Sequence, residues 1–332
     1  MDLSIIIVNW NSANYLRTAL SSVYQEVKGI EFEVIVVDSA SFDGSAEMVE
    51  REFPQTVYVQ SPNNIGFARS NNLGFQRSAG SALLFLNPDT ELIGDAVQRM
   101  LTHLNLDRKI GVVGCRVLNS DHTVQTACVQ AFPTILNQVL DSKALQGAFP
   151  KSSLWGTRVL YEQNSGPQDV HVIAGSCLMA RREAFQSVGM FCNDYFMYTE
   201  DVELCYSIWK AGYRVQHVPD ASIIHHGGSS SEVREESNFS TVMQRETIYR
   251  FLKKTRGSAY AGSYRIAMGA AAAIRLGLIG ASLPLRYLRH KGHSLRPMRK
   301  WYRVLRWVLG FEGWTKKVGA TTRSARTAAA AG

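Results

Sequence analysis

Ser4-Ile5-Ile6-Ile7-Val8, running into Asn9-Trp10-Asn11-Ser12 (SIIIVNWNS), decides the architecture of this chain. An unbroken apolar run of this length suits a strand covered on both faces, and such strands build parallel sheets between helices. Helical periodicity follows over Tyr15–Tyr24, and the alternation then repeats. Glu33–Val37 (EVIVV) reads as a second strand closing on Asp38. Asp43-Gly44-Ser45 offers turn and N-cap chemistry before a helix around Ala46–Glu52. Thr56–Gln60 reads as a third strand, Gly66–Gln76 as a helix behind a Pro-Asn-Asn turn, and Ala82–Leu86 (ALLFL) as a fourth strand. Strands alternating with helices predict right-handed crossovers and an α/β, Rossmann-like, mostly parallel central sheet flanked by helices.

Ligands of such sheets sit at the carboxyl ends of the strands. Asn9, Asp38 and Asp89 each fall just past a strand's end, so one site can collect them. No GxGxxG follows the first strand, which removes the main support for dinucleotide binding. A further helix and strand are expected over Asp95–Gly114, and Asn119–Gly166 reads as irregular. Val170–Ala180 resumes apolar character. A helix over Asp201–Ala211 is capped by Gly212, and short strands at Val215–Val218 and Ile223–Ile224 end in His225-His226-Gly227-Gly228-Ser229.

The chain has 332 residues, 45% hydrophobic and 19% charged, enough for a sizeable core in one or two domains. Its net charge of +8 is divided unevenly: residues 1–249 carry −9, whereas residues 250–332 carry 18 Lys and Arg against Glu312 alone. An acidic body with a basic tail suggests an anionic surface as the tail's partner, although a merely solvated tail has the same composition. Five cysteines without a CxxC pair argue against structural zinc and against a disulfide framework, and fit a reducing cytosol. Met1-Asp2-Leu3 leads straight into the first strand, with no basic leader, so export by a signal peptide is not expected.

Within the tail, Ile266–Leu285 is long enough to resemble a membrane span, but it is rich in Ala and Gly and holds Arg275 near its centre. Further on, Met298, Trp301, Tyr302, Leu305, Val308 and Leu309 recur at helical spacing opposite Arg296, Arg299, Lys300, Arg303 and Arg306. The favoured expectation is an amphipathic helix in a membrane interface with Trp at headgroup depth; the alternative is a helix packed in a soluble domain. Twelve basic residues between Arg265 and Lys317 against one acidic residue favour the membrane.

Seven stretches, in order, resemble the inverting glycosyltransferases of family 2, which have the GT-A fold, and particularly their bacterial rhamnosyltransferase-like branch. They are SIIIVNWN (4–11), VVDSASFDGS (36–45), NIGFARSNNLG (64–74), LNPDTEL (86–92), GSCLMARREAFQSVGMF (175–191), YTEDVELC (198–205) and VPDASIIHHGGSS (218–230). Each is weak alone; seven in order, spanning about residues 1–250, are specific. The resemblance implies a catalytic domain over 1–250, with a nucleotide-sugar-binding half (1–115) and an acceptor and catalytic half (116–250). The irregular segment would cover the acceptor side. A basic amphipathic membrane-associating region (251–318) and a disordered tail (319–332) are expected to follow.

Asp38 at a strand's end can accept hydrogen bonds from a pyrimidine N–H or a ribose hydroxyl, and the resemblance implies that role, with Val8 and Asn9 lining the same pocket. Gly66 opens a helix whose N-terminus can face phosphate. Arg69 reaches either the nucleotide or only solvent. Asp89, within Asn87-Pro88-Asp89, is the candidate for holding Mg2+ or Mn2+, since a hard cation bridging a departing diphosphate takes oxygen ligands. His225 stands where relatives place a metal-contacting histidine, but it also suits turn capping. Asp201 is the candidate general base for inversion by one displacement, Glu200 would orient the acceptor, and Gly175 would lie beneath the reacting sugars. Glu203 reads as a solvated helix residue.

Several positions depart from the family pattern: Ser39 replaces its Asn, and Met190, Cys192 and Asn193 replace Gly, Asp and Glu. No Gln-x-x-Arg-Trp follows Asp201, so a processive synthase is not expected. The implied activity moves one sugar, first of all L-rhamnose from dTDP-rhamnose, to a lipid-linked or saccharide acceptor for surface polysaccharide, on the cytoplasmic face of the membrane. A UDP-sugar donor, a catalytically silent nucleotide-sugar-binding protein and a nucleic-acid-associated protein are the rivals. The −9 body and the lack of any nucleic-acid module speak against the last.

Overall fold

The computed structural model describes residues 1–162, 166–227, 238–288 and 296–315. Gly228-Ser229 and the tail 319–332 therefore lie outside the described residues. The chain forms two compact units: Met1–Phe132 with Gln146–Val233, and Pro133–Leu145 with Arg234–Gly332.

In the first unit, the apolar runs become strands β1 (Leu3–Asn9), β2 (Phe32–Asp38), β3 (Val57–Gln60) and β4 (Ala82–Leu86), with helices α1 (Ala13–Glu26), α2 (Ser45–Glu52) and α3 (Phe67–Gln76) between them. Then come β5 (Thr90–Leu92), α4 (Ala96–Leu106), β6 (Ile110–Leu118) and β7 (Val129–Gln130). After the short helices α5 (Ile135–Val139) and α6 (Lys143–Ala148) follow β8 (Gln168–Asp169), β9 (Val172–Ile173), β10 (Cys177–Arg181), α7 (Arg182–Ser187), α8 (Glu200–Lys210) and β11 (Arg214–His225).

The main sheet runs β3-β2-β1-β4-β10-β6-β11-β5, with β8 on β11, and β7 and β9 form a separate pair. Strands β3, β2, β1 and β4 are mutually parallel, as are β6 and β11, while β10 is antiparallel to both its neighbours. Ile5, Ile6 and Ile7 are fully buried, as a strand covered on both faces requires. Register places Asn9 beside Asp38 and Ile7 beside Leu86, so the polar ends of β1, β2 and β4 share one edge.

Two local expectations differ from the structure. The two short strands expected at 215–218 and 223–224 are one strand, β11, whose register with β6 shifts between Val218 and Ser222. Pro219 lies in that interval, and a residue without an N–H cannot continue a ladder. Asp43 also serves two helix starts. Its Oδ1 accepts from Ser45 Oγ at 2.5 Å, while its Oδ2 accepts from the Ala13 N–H at 2.8 Å at the head of α1.

The second unit contains α5, α9 (Asn238–Arg256), α10 (Ser258–Leu288) and α11 (Arg296–Val308). Here the expectation of Trp at headgroup depth is corrected. Trp301, Val304 and Trp307 are buried against the unit's own helices, whereas Tyr302 and Leu309 are exposed. Trp307 Nε1 donates to Glu246 Oε2 at 2.9 Å, and the Arg275 guanidinium lies 4.2 Å from the Trp301 ring centroid. Arg265 ties the end of α11 down, donating to the Trp307 carbonyl at 2.6 Å and the Val308 carbonyl at 3.1 Å. Gly269 on α10 admits Val308: a Cβ added there would lie 3.0 Å from its Cγ1. Small residues on α10 let α11 close onto it, so protein covers the indole face.

Candidate active site

The expected site residues from Val8 to His225 all belong to the first unit. At the β1–β2 edge, Asn9 is fully buried, and its Nδ2 donates to Asp38 Oδ2 at 2.8 Å and to Ser45 Oγ at 2.9 Å. Asp38 Oδ1 accepts from the Ser41 N–H and from Gln60 Nε2, both at 2.8 Å. Three bonds hold the carboxylate rigid, and Asn9 Oδ1 has no protein hydrogen-bond partner. A buried acceptor of this kind requires a donor from outside the chain or water. Burial and nearby Asp38 push the Tyr58 phenol up, so it stays neutral beside the carboxylate. Ser41, Tyr58 and Gln60 were not expected in this role; Gln60 is signalled only by register, which pairs it with Asp38.

At the end of β4, the Asn87 N–H donates to the Ser176 carbonyl at 3.0 Å, joining the Asn-Pro-Asp segment to the turn before β10. His225 pairs in register with Thr90, which brings its ring to Asp89: Nε2 and Oδ1 are 3.2 Å apart, and Asn87 Nδ2 is 3.4 Å from the same nitrogen. Gln125 was missed by sequence reading because it lies in the irregular stretch. Its Nε2 donates to the His225 carbonyl at 2.6 Å, which fixes the amide so that Oε1 faces His225 Nδ1 at 2.9 Å. Nδ1 therefore carries the proton, and the Nε2 lone pair of a neutral ring points at a carboxylate oxygen. Two acceptors face each other unless a proton or a cation lies between them. An imidazole whose other N–H is held by an amide oxygen is also how metal-bound histidines are oriented. Asp89 and His225 therefore fit one divalent cation whose remaining ligands come from elsewhere, while Asn87 turns its Nδ2 donor toward His225 Nε2. No group of three or more His, Cys, Asp or Glu side chains gathers for a metal among the described residues.

The third part is the turn into α8. Tyr198 and Thr199 both adopt left-handed conformations, φ 70° and 72°, and consecutive non-glycine residues there store strain of the kind found at functional sites. The turn presents Asp201, whose Oδ2 accepts from the Gly175 N–H at 2.9 Å and whose Oδ1 accepts from the Val202 N–H at 2.8 Å. Burial raises the Asp201 pKa, and those two N–H bonds oppose the rise. Glu200 is buried with Oε2 lacking a partner. Burial first, and the Asp201 charge second, push it up to about 8. Near neutrality Glu200 holds a proton and leaves the charge on Asp201.

Gly175 touches both parts, since a Cβ there would lie 3.4 Å from the Phe67 ring and 3.7 Å from Asp201 Cβ. The close approach that Gly66 permits, at φ +84°, is to the Phe196 backbone, whose carbonyl accepts from the Phe67 N–H at 2.8 Å. The head of α3 is thus braced against the turn that leads to Asp201. Arg69 is half-buried in the first turn of α3, and Val8 is half-buried beside Val37. Glu203, expected in solvent, is 4% exposed. The first turn of α8 is enclosed, and Glu203 Oε1 accepts from Ser207 Oγ at 3.3 Å.

The titration of Glu200 has a stability signature. Its folded pKa lies above its unfolded one, so its contribution is complete below the usual glutamate range and is lost as pH rises toward and through about 8. Glu200→Gln should therefore gain in stability over the parent as pH rises from about 5 to 9, by on the order of a few kcal/mol, seen as a widening gap between their melting temperatures. A pH-independent difference between the two melting curves would contradict this.

The model of Glycosyl transferase family 2 matches residues 4–189, more than half of the chain. The chain belongs to glycosyltransferase family 2. The model of Glycosyl transferase family group 2 also matches, over residues 151–327. An N-acetylglucosaminyl-diphospho-decaprenol L-rhamnosyltransferase of Mycobacterium tuberculosis is 25% identical over 241 residues, 69% of this chain and 77% of that one. Rhamnosyltransferase WbbL of Escherichia coli is 29% identical over 147 residues, 43% of this chain and 52% of that one. Among solved structures, mannosyltransferase PcManGT from Pyrobaculum calidifontis, in complex with GDP-Man and Mn2+, aligns with TM-score 0.57 at 18% identity, covering 96% of this chain and 86% of that one. The family 2 chain is thus a glycosyltransferase with a GT-A-like α/β fold.

Proposed function

We propose that this family 2 glycosyltransferase is an inverting, non-processive enzyme that moves L-rhamnose from dTDP-rhamnose to a lipid-linked saccharide. It would act in surface polysaccharide assembly at the cytoplasmic face of the membrane. The observation that carries the reading is the continuity of the first unit's sheet edge: Asp38 with Asn9, Asn87 with Asp89 and His225, and Ser176-Gly175 with Asp201 are joined by hydrogen bonds or strand register. The M. tuberculosis and E. coli relatives, both named as rhamnosyltransferases, support the donor.

Asp38 and Asn9 would read the pyrimidine, Asn9 Oδ1 accepting a ring N–H, with Val8 against the base. Gly66 and Arg69 would flank the nucleotide from the head of α3. Asp201 would take the proton of the acceptor hydroxyl. The oxygen would attack the anomeric carbon from the face opposite the phosphate, and the sugar–phosphate bond would break with both electrons leaving on the nucleotide diphosphate. Protonated Glu200 would donate a hydrogen bond that orients the acceptor. A Mg2+ or Mn2+ ion held by Asp89 and His225 would supply positive charge for the diphosphate, with Asn87 contacting the nucleotide sugar.

Thermal unfolding in a panel of sugar nucleotides, with and without Mn2+ or Mg2+, tests the reading. A ligand that binds only the folded state raises the melting temperature, by about 2.7 kcal/mol of stability at a hundredfold excess over Kd. The expected result is a rise with dTDP-rhamnose that grows when cation is present. A rise with UDP-sugars alone would replace the donor, and no rise with any sugar nucleotide would remove the reading.

A further inference from the structure

We infer that the outer face of α10 is a docking surface for an anionic phospholipid bilayer. The inference deepens the proposed function, since it rests on an acceptor presented at a membrane, and it moves the contact from α11, whose indoles are covered, to a different helix.

The exposed positions between Ser258 and Ser282 are Ala259, Ser263, Ile266, Ala270, Ala273, Ile274, Gly277, Leu278 and Ala281. At 100° per residue they form one stripe, and from Ile266 to Leu278 it is about 18 Å long. It carries no charge and, apart from Ser263, no polar side chain. Ile266 is 74% exposed, Ile274 64% and Leu278 66%. Branched side chains at such exposure, in register, require a cover. Arg275, the charge that argued against this stretch meeting lipid, is turned inward: its Nη2 donates to the Val139 carbonyl at 2.8 Å and the Asp141 carbonyl at 3.2 Å. The inner face packs on the unit's own helices through Ala261, Tyr264, Met268 and Ala272. A helix held by protein on one face and bare on the other is suited to half-immersion rather than to spanning.

Charge selects the occupant. Lys253, Lys254, Arg256, Arg296 and Arg299 of the same unit are exposed. Its acidic groups among the described residues are engaged: Asp141 lies 3.8 Å from Arg245, Glu246 binds Arg250 and Trp307, and Glu312 binds Arg303 and Arg306. An uncharged apolar strip on a unit with exposed cations, in a stretch (250–332) that carries 18 Lys and Arg against one acidic residue, matches the acyl edge and headgroups of an anionic leaflet. A second copy of the chain would bring the same positive charge against itself.

The test uses the full chain with vesicles of phosphatidylglycerol and phosphatidylcholine, or of phosphatidylcholine alone. The parent should bind the anionic vesicles in a salt-dependent way. Ile266→Glu/Ile274→Glu/Leu278→Glu should bind about tenfold or more weakly, with an unchanged melting temperature. As a second measurement independent of that variant's folding, an environment-sensitive fluorophore on Leu278→Cys should shift to the blue on anionic vesicles. Equal vesicle binding by parent and triple variant, or a bound protein whose label stays in water, would overturn the inference. A parent dimer that the triple variant converts to monomer would overturn it too, by assigning the face to a second copy. Sugar-nucleotide binding measured without vesicles fails or succeeds separately, so a failure of the functional reading is distinguishable from a failure of this one.

Discussion

Asp201→Asn is expected to leave the affinity for sugar nucleotide intact and to lower turnover by a factor on the order of 10² or more. The amide preserves the shape, and its oxygen can still accept from one of the two N–H groups, Gly175 or Val202, that hold the carboxylate. It cannot take a proton. A loss confined to kcat, with the donor's thermal shift unchanged, separates a base from a structural cap, because loss of a cap would lower the melting temperature instead. The parent's pH profile provides a second check. Burial raises the Asp201 pKa, so activity should fall on the acid side at a pH above the ordinary aspartate range. Unchanged turnover in the Asn variant would exclude Asp201 from the role.

Asp89→Ala is expected to abolish stimulation by Mn2+ or Mg2+ and to reduce turnover by several orders of magnitude, since the diphosphate would leave without its neutralising charge. Its carboxylate is buried and faces His225 Nε2 at 3.2 Å, so its removal leaves the imidazole without a charged neighbour on that side. Gln125→Leu acts one step further out. It removes the Oε1 acceptor of the His225 Nδ1 proton together with the bond to the His225 carbonyl that orients the amide, and weakens Mn2+ binding by about 10- to 100-fold in a direct titration without substrate. Full activity of the parent in excess chelator would refute both expectations.

The candidate site was legible unevenly. Asp38, Asp89 and Asp201 could be named because each stands where a strand ends or a helix begins, and such positions are visible in consecutive residues. The partners that constrain them were not. Gln125 reaches His225 across 100 residues, Gln60 reaches Asp38 across 22, and Gly175 reaches Asp201 across 26. Gln125 sits in a stretch without periodicity, so nothing local marked it. Glu203 was read as a solvated helix residue, but packing over the first turn of α8 encloses it. Gly66 was recognised as the opening of a helix, while the group that comes closest to it, the Phe196 carbonyl, lies on a loop 130 positions away.

From its sequence alone the chain specifies an α/β sheet, with the polar ends of β1, β2 and β4 on one edge, because periods of 2.0 and 3.6 and the residues that interrupt them are properties of neighbouring positions. Only the tertiary structure decided which apolar helix face is covered. The α11 stripe satisfies a lipid interface and a protein groove equally well, because burying an indole removes the same apolar area from water in either place. What separates the two is the shape of the partner. The small residues of α10 let α11 close onto it with Trp301 and Trp307 buried, and that leaves Ile266, Ile274 and Leu278 on the outside.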